Sequence, residues 1–198
     1  MKLLVGAFAL MPLSAMAKEF PAAFSVSGVA ANDVLNIRAE PSSAAPLLGH
    51  FAPDKLRVEV LETTSDGKWG LVGLPESNGW VSMRYLAPLP DASAPMPLPM
   101  VCLGTEPFWS LGLTGPETAL WKTPEVTEEI TLISSAKAPL GYFATLTGSH
   151  RGEQVLIVTK EQCFDGMSDR RFGFSARLFQ QTERENTLLS GCCTLQAD

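Results

Sequence analysis

Phe108-Trp109-Ser110-Leu111-Gly112-Leu113 decides the fold class, because its apolar residues recur at every second position. A period of two sends Trp109, Leu111 and Leu113 to one face of a strand and Ser110 and Gly112 to the other. The signature repeats outward from there. Ala119-Leu120-Trp121, Ile130-Thr131-Leu132-Ile133, Tyr142-Phe143-Ala144-Thr145-Leu146 and Gln154-Val155-Leu156-Ile157-Val158 follow, then the runs at 172–178 and 187–192. No window of this half sustains a helical period, although Pro124 to Glu129 has room for one turn. About seven or eight strands joined by short loops predict an antiparallel β-barrel or sandwich.

Upstream, Pro88 to Met100 holds five prolines and a single charge, Asp91. Proline excludes a helix and a central strand, so residues 89–100 read as a semi-rigid extended spacer. It divides the chain into units at 18–88 and 101–198. The first 17 residues read as a secretory leader, with Lys2, an apolar run from Leu3 to Leu13 and a small-x-small site at Ala15-Met16-Ala17. That run is shorter than the ~20 residues a bilayer span requires, and no comparable run follows. The expected protein is therefore periplasmic or secreted, with no membrane anchor. The chain has 198 residues, 45% of them hydrophobic, and a formal net charge of −6. The apolar fraction excludes wholesale disorder, and the acidic balance argues against a nucleic-acid partner.

Cys102, Cys163, Cys192 and Cys193 all fall in the second unit. In an oxidising compartment an even count favours disulfides. Adjacent strand residues point to opposite faces, which disfavours a bond between Cys192 and Cys193. Cys163 is then bonded to one of the pair and Cys102 to the other. No C-x-x-C occurs, and His50 and His150 lie far from any cysteine, so neither a metal nor another cofactor is expected.

The N-terminal unit carries short strand-like runs at 24–29, 34–38, 56–61, 69–72 and 79–82. Turns are expected at Ser65-Asp66-Gly67 and at Asn78-Gly79. Five or so brief strands predict a small barrel. Leu35-Asn36-Ile37-Arg38-Ala39-Glu40-Pro41-Ser42, Leu48-Gly49, Trp69-Gly70-Leu71-Val72 and Gly79-Trp80-Val81-Ser82-Met83-Arg84-Tyr85-Leu86 together resemble a bacterial SH3-like (SH3b) domain. Glu40 departs from the glycine usual before that proline. The resemblance implies a non-enzymatic module that binds cell-wall peptide or an envelope protein partner. Trp69, Trp80 and Tyr85 are the candidate ligand-binding residues, since rigid rings supply contact area at low entropic cost. The same rings would also suit the core of a small barrel. Arg38 could pair with a ligand carboxylate or close an internal ion pair.

In the second unit, Cys102-Leu103-Gly104-Thr105-Glu106-Pro107-Phe108-Trp109 places an acid beside two aromatics. Cys163 to Arg171 is a turn-forming stretch with Asp165, Ser168, Asp169, Arg170 and Arg171, and Gly191-Cys192-Cys193 closes the set. Together these resemble a family of bacterial envelope domains that carries no assigned activity. In style that family is akin to small exported barrels such as lysozyme inhibitors and META-type domains. Glu106, Trp109, Asp169 and Arg170 are the candidate ligand contacts here, a carboxylate and a guanidinium being able to hold a polar ligand or each other. No catalytic residue is assigned. Ser168 has no nearby histidine, and no phosphate loop is present. The whole reads as an all-β, exported, non-catalytic binding protein of the cell envelope. The alternatives are a wall hydrolase, a Cys-dependent redox or metal protein, and an inhibitor of a wall-degrading enzyme.

Overall fold

The computed structural model describes residues 19–90, 95–149, 152–181 and 185–195. The leader expected over 1–17 and His150 lie outside them. The described chain is all-β, in two units with separate cores.

The N-terminal unit contains β1 (Ala22–Val26), β2 (Leu35–Arg38), β3 (Leu47–Phe51), β4 (Val58–Thr63), β5 (Trp69–Gly73), β6 (Asn78–Ser82) and β7 (Leu86–Pro88), with a 3-10 turn at Met83–Tyr85. They form one antiparallel sheet in the order β3-β2-β6-β5-β4-β1-β7. Phe51 at one edge and Leu86 at the other share a core with Phe24, Ile37, Val60 and Val81, so the sheet must coil around it. The β4–β5 turn forms as expected. Gly67 takes a φ of +67°, and Asp66 Oδ1 accepts from the Thr64 hydroxyl at 2.7 Å and the Lys68 N–H at 3.1 Å. Asn78-Gly79 is not a turn. Both residues belong to β6, and Leu74 N–H donates to Ser77 O across the turn before it. Gly79 is required by space: an added Cβ would lie 2.4 Å from Ile37 Cγ2.

The second unit contains β8 (Met100–Thr105), β9 (Phe108–Leu113), β10 (Thr118–Lys122), β11 (Thr127–Ala138), β12 (Gly141–Gly148), β13 (Gly152–Thr159), β14 (Cys163–Phe164), β15 (Arg171–Phe172), β16 (Phe174–Gln181) and β17 (Asn186–Thr194). Eight of them close into an antiparallel barrel, each pairing with the next in sequence and β17 returning to β8. The β14–β15 hairpin is inserted between β13 and β16. Of barrel and sandwich, the chain adopts the barrel, and closure leaves no unpaired edge.

Inward residues fill the lumen. Leu111, Leu113, Leu146, Leu156, Phe174 and Leu178 are fully buried, as eight strands leave room for little beyond side chains. Trp109 and Trp121 stack inside, with ring centroids 5.5 Å apart and 7° between planes. Gly104 makes space for that pair, because a Cβ there would lie 1.9 Å from Trp109 Nε1.

Two bonds brace the barrel, Cys102–Cys193 and Cys163–Cys192. Cys102 and Cys193 are register partners on the two strands that close the ring, and both belong to its core. Cys192 points the opposite way and holds the β14–β15 hairpin. Alternation along β17 thus assigns each neighbour its own partner.

The stretch expected as a spacer is partly structural. Leu89 N–H donates to Ala23 O at 3.0 Å, and Met96 and Met100 are completely buried in the barrel core. Proline content excluded helix but said nothing about the methionines between the prolines, whose flexible side chains fill gaps well.

The two units are bolted together. Glu59 is buried and accepts from Thr194 Oγ1 at 2.6 Å and from Leu195 N–H at 3.0 Å. Asn78 Oδ1 accepts from Arg171 N–H at 2.6 Å, while Asn78 Nδ2 donates to Arg171 O at 3.0 Å. Arg171 also pairs with Glu62 at 2.7 Å, and Asp169 N–H donates to Glu76 O at 3.1 Å.

Candidate functional site

The larger of the two described cavities is a groove of about 480 Å³ on the N-terminal unit. Its floor and walls come from the loop after β1, from β2, and from the ends of β5 and β6. Gly28, at φ +75°, turns the chain after β1 and lets residues 29–34 fold back along the sheet. Asp33 Oδ1 in that loop accepts from Val34 N–H at 2.8 Å. Arg38 lies on β2, where its Nη1 donates to Ala45 O at 2.7 Å and so holds the following loop. Trp69 is fixed by its own N–H, which donates to Thr64 Oγ1 at 3.2 Å. Tyr85 is anchored through its carbonyl, which accepts from Ser27 N–H at 2.9 Å. Arg84 lies 5.8 Å from the centre of the Tyr85 ring.

Two half-buried rings, one carboxylate, one guanidinium and the Asn36 amide therefore share one groove. Such a set suits a short extended chain that offers a flat or apolar segment to the rings and charges of both signs.

Of the candidate rings, Trp69 and Tyr85 line the groove and Trp80 does not. Trp80 is half-buried and sits opposite Leu71 and Arg38 in the sheet. The second-unit candidates are not drawn into one cleft. Trp109 is 4% exposed and sealed in the barrel, so it is unavailable to a ligand; a filled lumen needs large rings. Glu106 is exposed on the β8–β9 turn. Asp169 is exposed, and its backbone is tied to the N-terminal unit. Arg170 is half-buried, 4.4 Å from the centre of the Phe172 ring and against Gly73 of the other unit. None of Glu106, Asp169 and Arg170 lines either described cavity.

The loop after Cys163 is built around Asp165. Burial works to raise its carboxyl, but the N–H groups of Ser168 and Met167 and the Ser168 hydroxyl outweigh it and hold it below the ordinary carboxylate value. Thr105 Oγ1 donates to Asp165 O at 2.9 Å, which ties this loop to the β8–β9 turn. The result is a rigid tip where Phe108, Phe164 and Met167 are each more than half exposed.

Glu59 was not among the sequence candidates, since a charged residue between Val58 and Val60 in a strand carries no sign of burial on both faces. Burial raises its carboxyl above the usual range, against the opposing effects of Thr194, Leu195 and Arg170. The second cavity, about 140 Å³, lies at the same seam between Phe20, Leu61, Lys160 and Arg171. Its volume suits water or a small ion. All four cysteines are in disulfides, and among the described residues no three His, Cys, Asp or Glu side chains form a metal-binding group. Among those residues no helix is long and apolar enough to cross a membrane. The disulfides are consistent with an oxidising, exported location. Comparison with known proteins returns no matching family model, no matching curated protein and no matching solved structure.

Proposed function

We propose that this protein is an exported, non-catalytic binding protein of the cell envelope, whose N-terminal SH3-like unit takes cell-wall peptide, or failing that a protein partner, in the Trp69–Tyr85 groove. The observation that carries the reading is the groove itself. It joins two rings to Asp33 and Arg38 on a unit that the Glu59 and Asn78 contacts hold against a rigid barrel. Wall peptides are short, extended and charged at both signs, which matches that lining. A preorganised groove limits the ordering cost of binding.

The test is retention of the full disulfide-bonded protein on purified wall sacculi. Wild type and Trp80→Ala should be retained alike, and Trp69→Ala should lose at least about tenfold in affinity, as expected of a central aromatic contact. No retention of wild type, or equal retention of Trp69→Ala, would sink the proposal.

The exposed Phe108, Phe164 and Met167 beside acidic Glu106 favour a second reading, inhibition of a wall-degrading enzyme by insertion of this tip. Its test is wall hydrolysis by a purified lysozyme-type enzyme with and without the protein. Loss of inhibition in Phe164→Ser is expected if the tip inserts.

A further inference from the structure

In a barrel standing in water, the outward residues of each strand should be polar. On β12, β13, β16 and β17 several are apolar instead. Phe143 lies opposite Ile157, Val155 opposite Phe179, and Phe179 opposite Leu188. Cross-strand neighbours sit about 5 Å apart, so these five side chains form one continuous patch across four strands. Exposure is 36% for Phe143, 38% for Phe179, 49% for Ile157 and 63% for Leu188. The patch is one-sided. Around the barrel, β10 and β11 expose Thr118, Lys122, Glu129 and Thr131 with Ile133, 56% exposed, as the one large apolar residue among them, so no apolar band encircles the molecule as a membrane would require.

The charges at its borders say what covers it. Glu153 on β13 bounds one end, and Arg177 on β16, opposite Ile157, bounds the other. Four residues of strand separate the two rows, roughly 13 Å at the usual rise. Consider a two-fold axis in the plane of the face, running across the strands through the Val155–Phe179 pair. It lays the Val155, Phe179 and Leu188 row on its own copy. It also brings Glu153 of each molecule beside Arg177 of the other. Ile157 then faces Glu153 of the copy, so the match rests on the Val155, Phe179 and Leu188 row meeting itself and on the two Glu153–Arg177 contacts, the repeated pairing that an isologous interface needs.

We infer that this outer face of the barrel, centred on Val155 and Phe179, is the contact surface of a two-fold dimer of this chain. The apolar row supplies the driving force through its removal from water, and the paired Glu153–Arg177 contacts fix the register.

Sedimentation velocity of the full disulfide-bonded protein over a concentration series tests it. Wild type should show a reversible monomer–dimer equilibrium. Glu153→Arg and Arg177→Glu should each weaken self-association at least about tenfold through like-charge contacts. The double reversal should restore it, which also shows that the exposed substitutions leave the fold intact. Leu188→Asp should abolish it. A monomer at every concentration overturns the inference. So does a dimer indifferent to the single reversals and to Leu188→Asp, and so does a monomer that floats with zwitterionic lipid vesicles.

Discussion

The barrel and the N-terminal sheet are both built from antiparallel strands, yet they place their tryptophans differently. The barrel closes on itself and stacks Trp109 on Trp121 inside. The N-terminal sheet stays open, coils around a core of aliphatic residues with Phe24 and Phe51, and leaves Trp69 and Tyr85 half-exposed in a groove. Closure creates a lumen that only large side chains fill, so rings there serve packing. A coiled open sheet has folds between its loops and strands, and rings at those folds remain accessible. The same residue type is therefore sealed into packing in one unit and left partly open to solvent in the other.

The largest effect should come from the covalent braces, which only the barrel has. Replacing Cys102 and Cys193 by serine opens a span of 91 residues. A chain-entropy estimate puts the loss near ~4.6 kcal/mol, against ~3.6 kcal/mol for the Cys163–Cys192 pair with its span of 29. Denaturant unfolding of both double variants checks the ranking, and a larger loss for the shorter span would break the picture of closure as the main brace. Next is Gly104→Ala, which forces a methyl into the Trp109–Trp121 stack. It should cost about 1–3 kcal/mol of overpacking, lowering the barrel transition in calorimetry while amide hydrogen exchange in β5 and β6 stays as slow as in wild type.

Smaller again is the pH effect of the bolt between the units. The folded-state carboxyl of Glu59 is raised, so the folded protein holds that proton at a pH where the unfolded chain has released it. Its contribution is fully present below the ordinary value of 4.5 and is lost as pH rises through the raised folded value. Glu59→Gln should remove this component, so the stability difference between wild type and variant should move against wild type from about pH 4.5 upward. Parallel pH profiles would show that the carboxyl is not buried as described. The smallest effect belongs to Asp66, whose carboxyl is pushed down to about 2 by the Thr64 and Lys68 hydrogen bonds. Asp66→Asn should change stability only slightly near neutrality. It should shrink the acid-side loss between pH 3.8 and about 2, where the wild-type contribution disappears; urea melts at two pH values measure it.

Much of the barrel was legible because an interior and an exterior impose a period of two. The pattern of β9 matches its burial residue by residue, and the cysteine argument followed from the same alternation. Closure itself was not legible, since a barrel and a sandwich ask the same of each strand. Glu59 shows the limit most clearly. Val58, Glu59 and Val60 are all buried, because the barrel end covers the second face of β4, and its partners stand 135 and 136 positions away. Within its own unit nothing marks that glutamate. Of the site, Trp69 and Tyr85 were visible as rings near turns. Separating them from Trp80 required knowing where the loop after β1 folds, and Asp33 gave no signal beyond an ordinary polar loop.

The adjacency of Cys192 and Cys193 has a consequence for assembly. Exchanging their partners would require β17 to slide by one residue, which would send Leu188 into the lumen and Leu189 out to solvent. A mispaired isomer would thus be a shifted isomer too, exposed along a whole strand and open to reshuffling. Oxidation of this chain proofreads its own alignment.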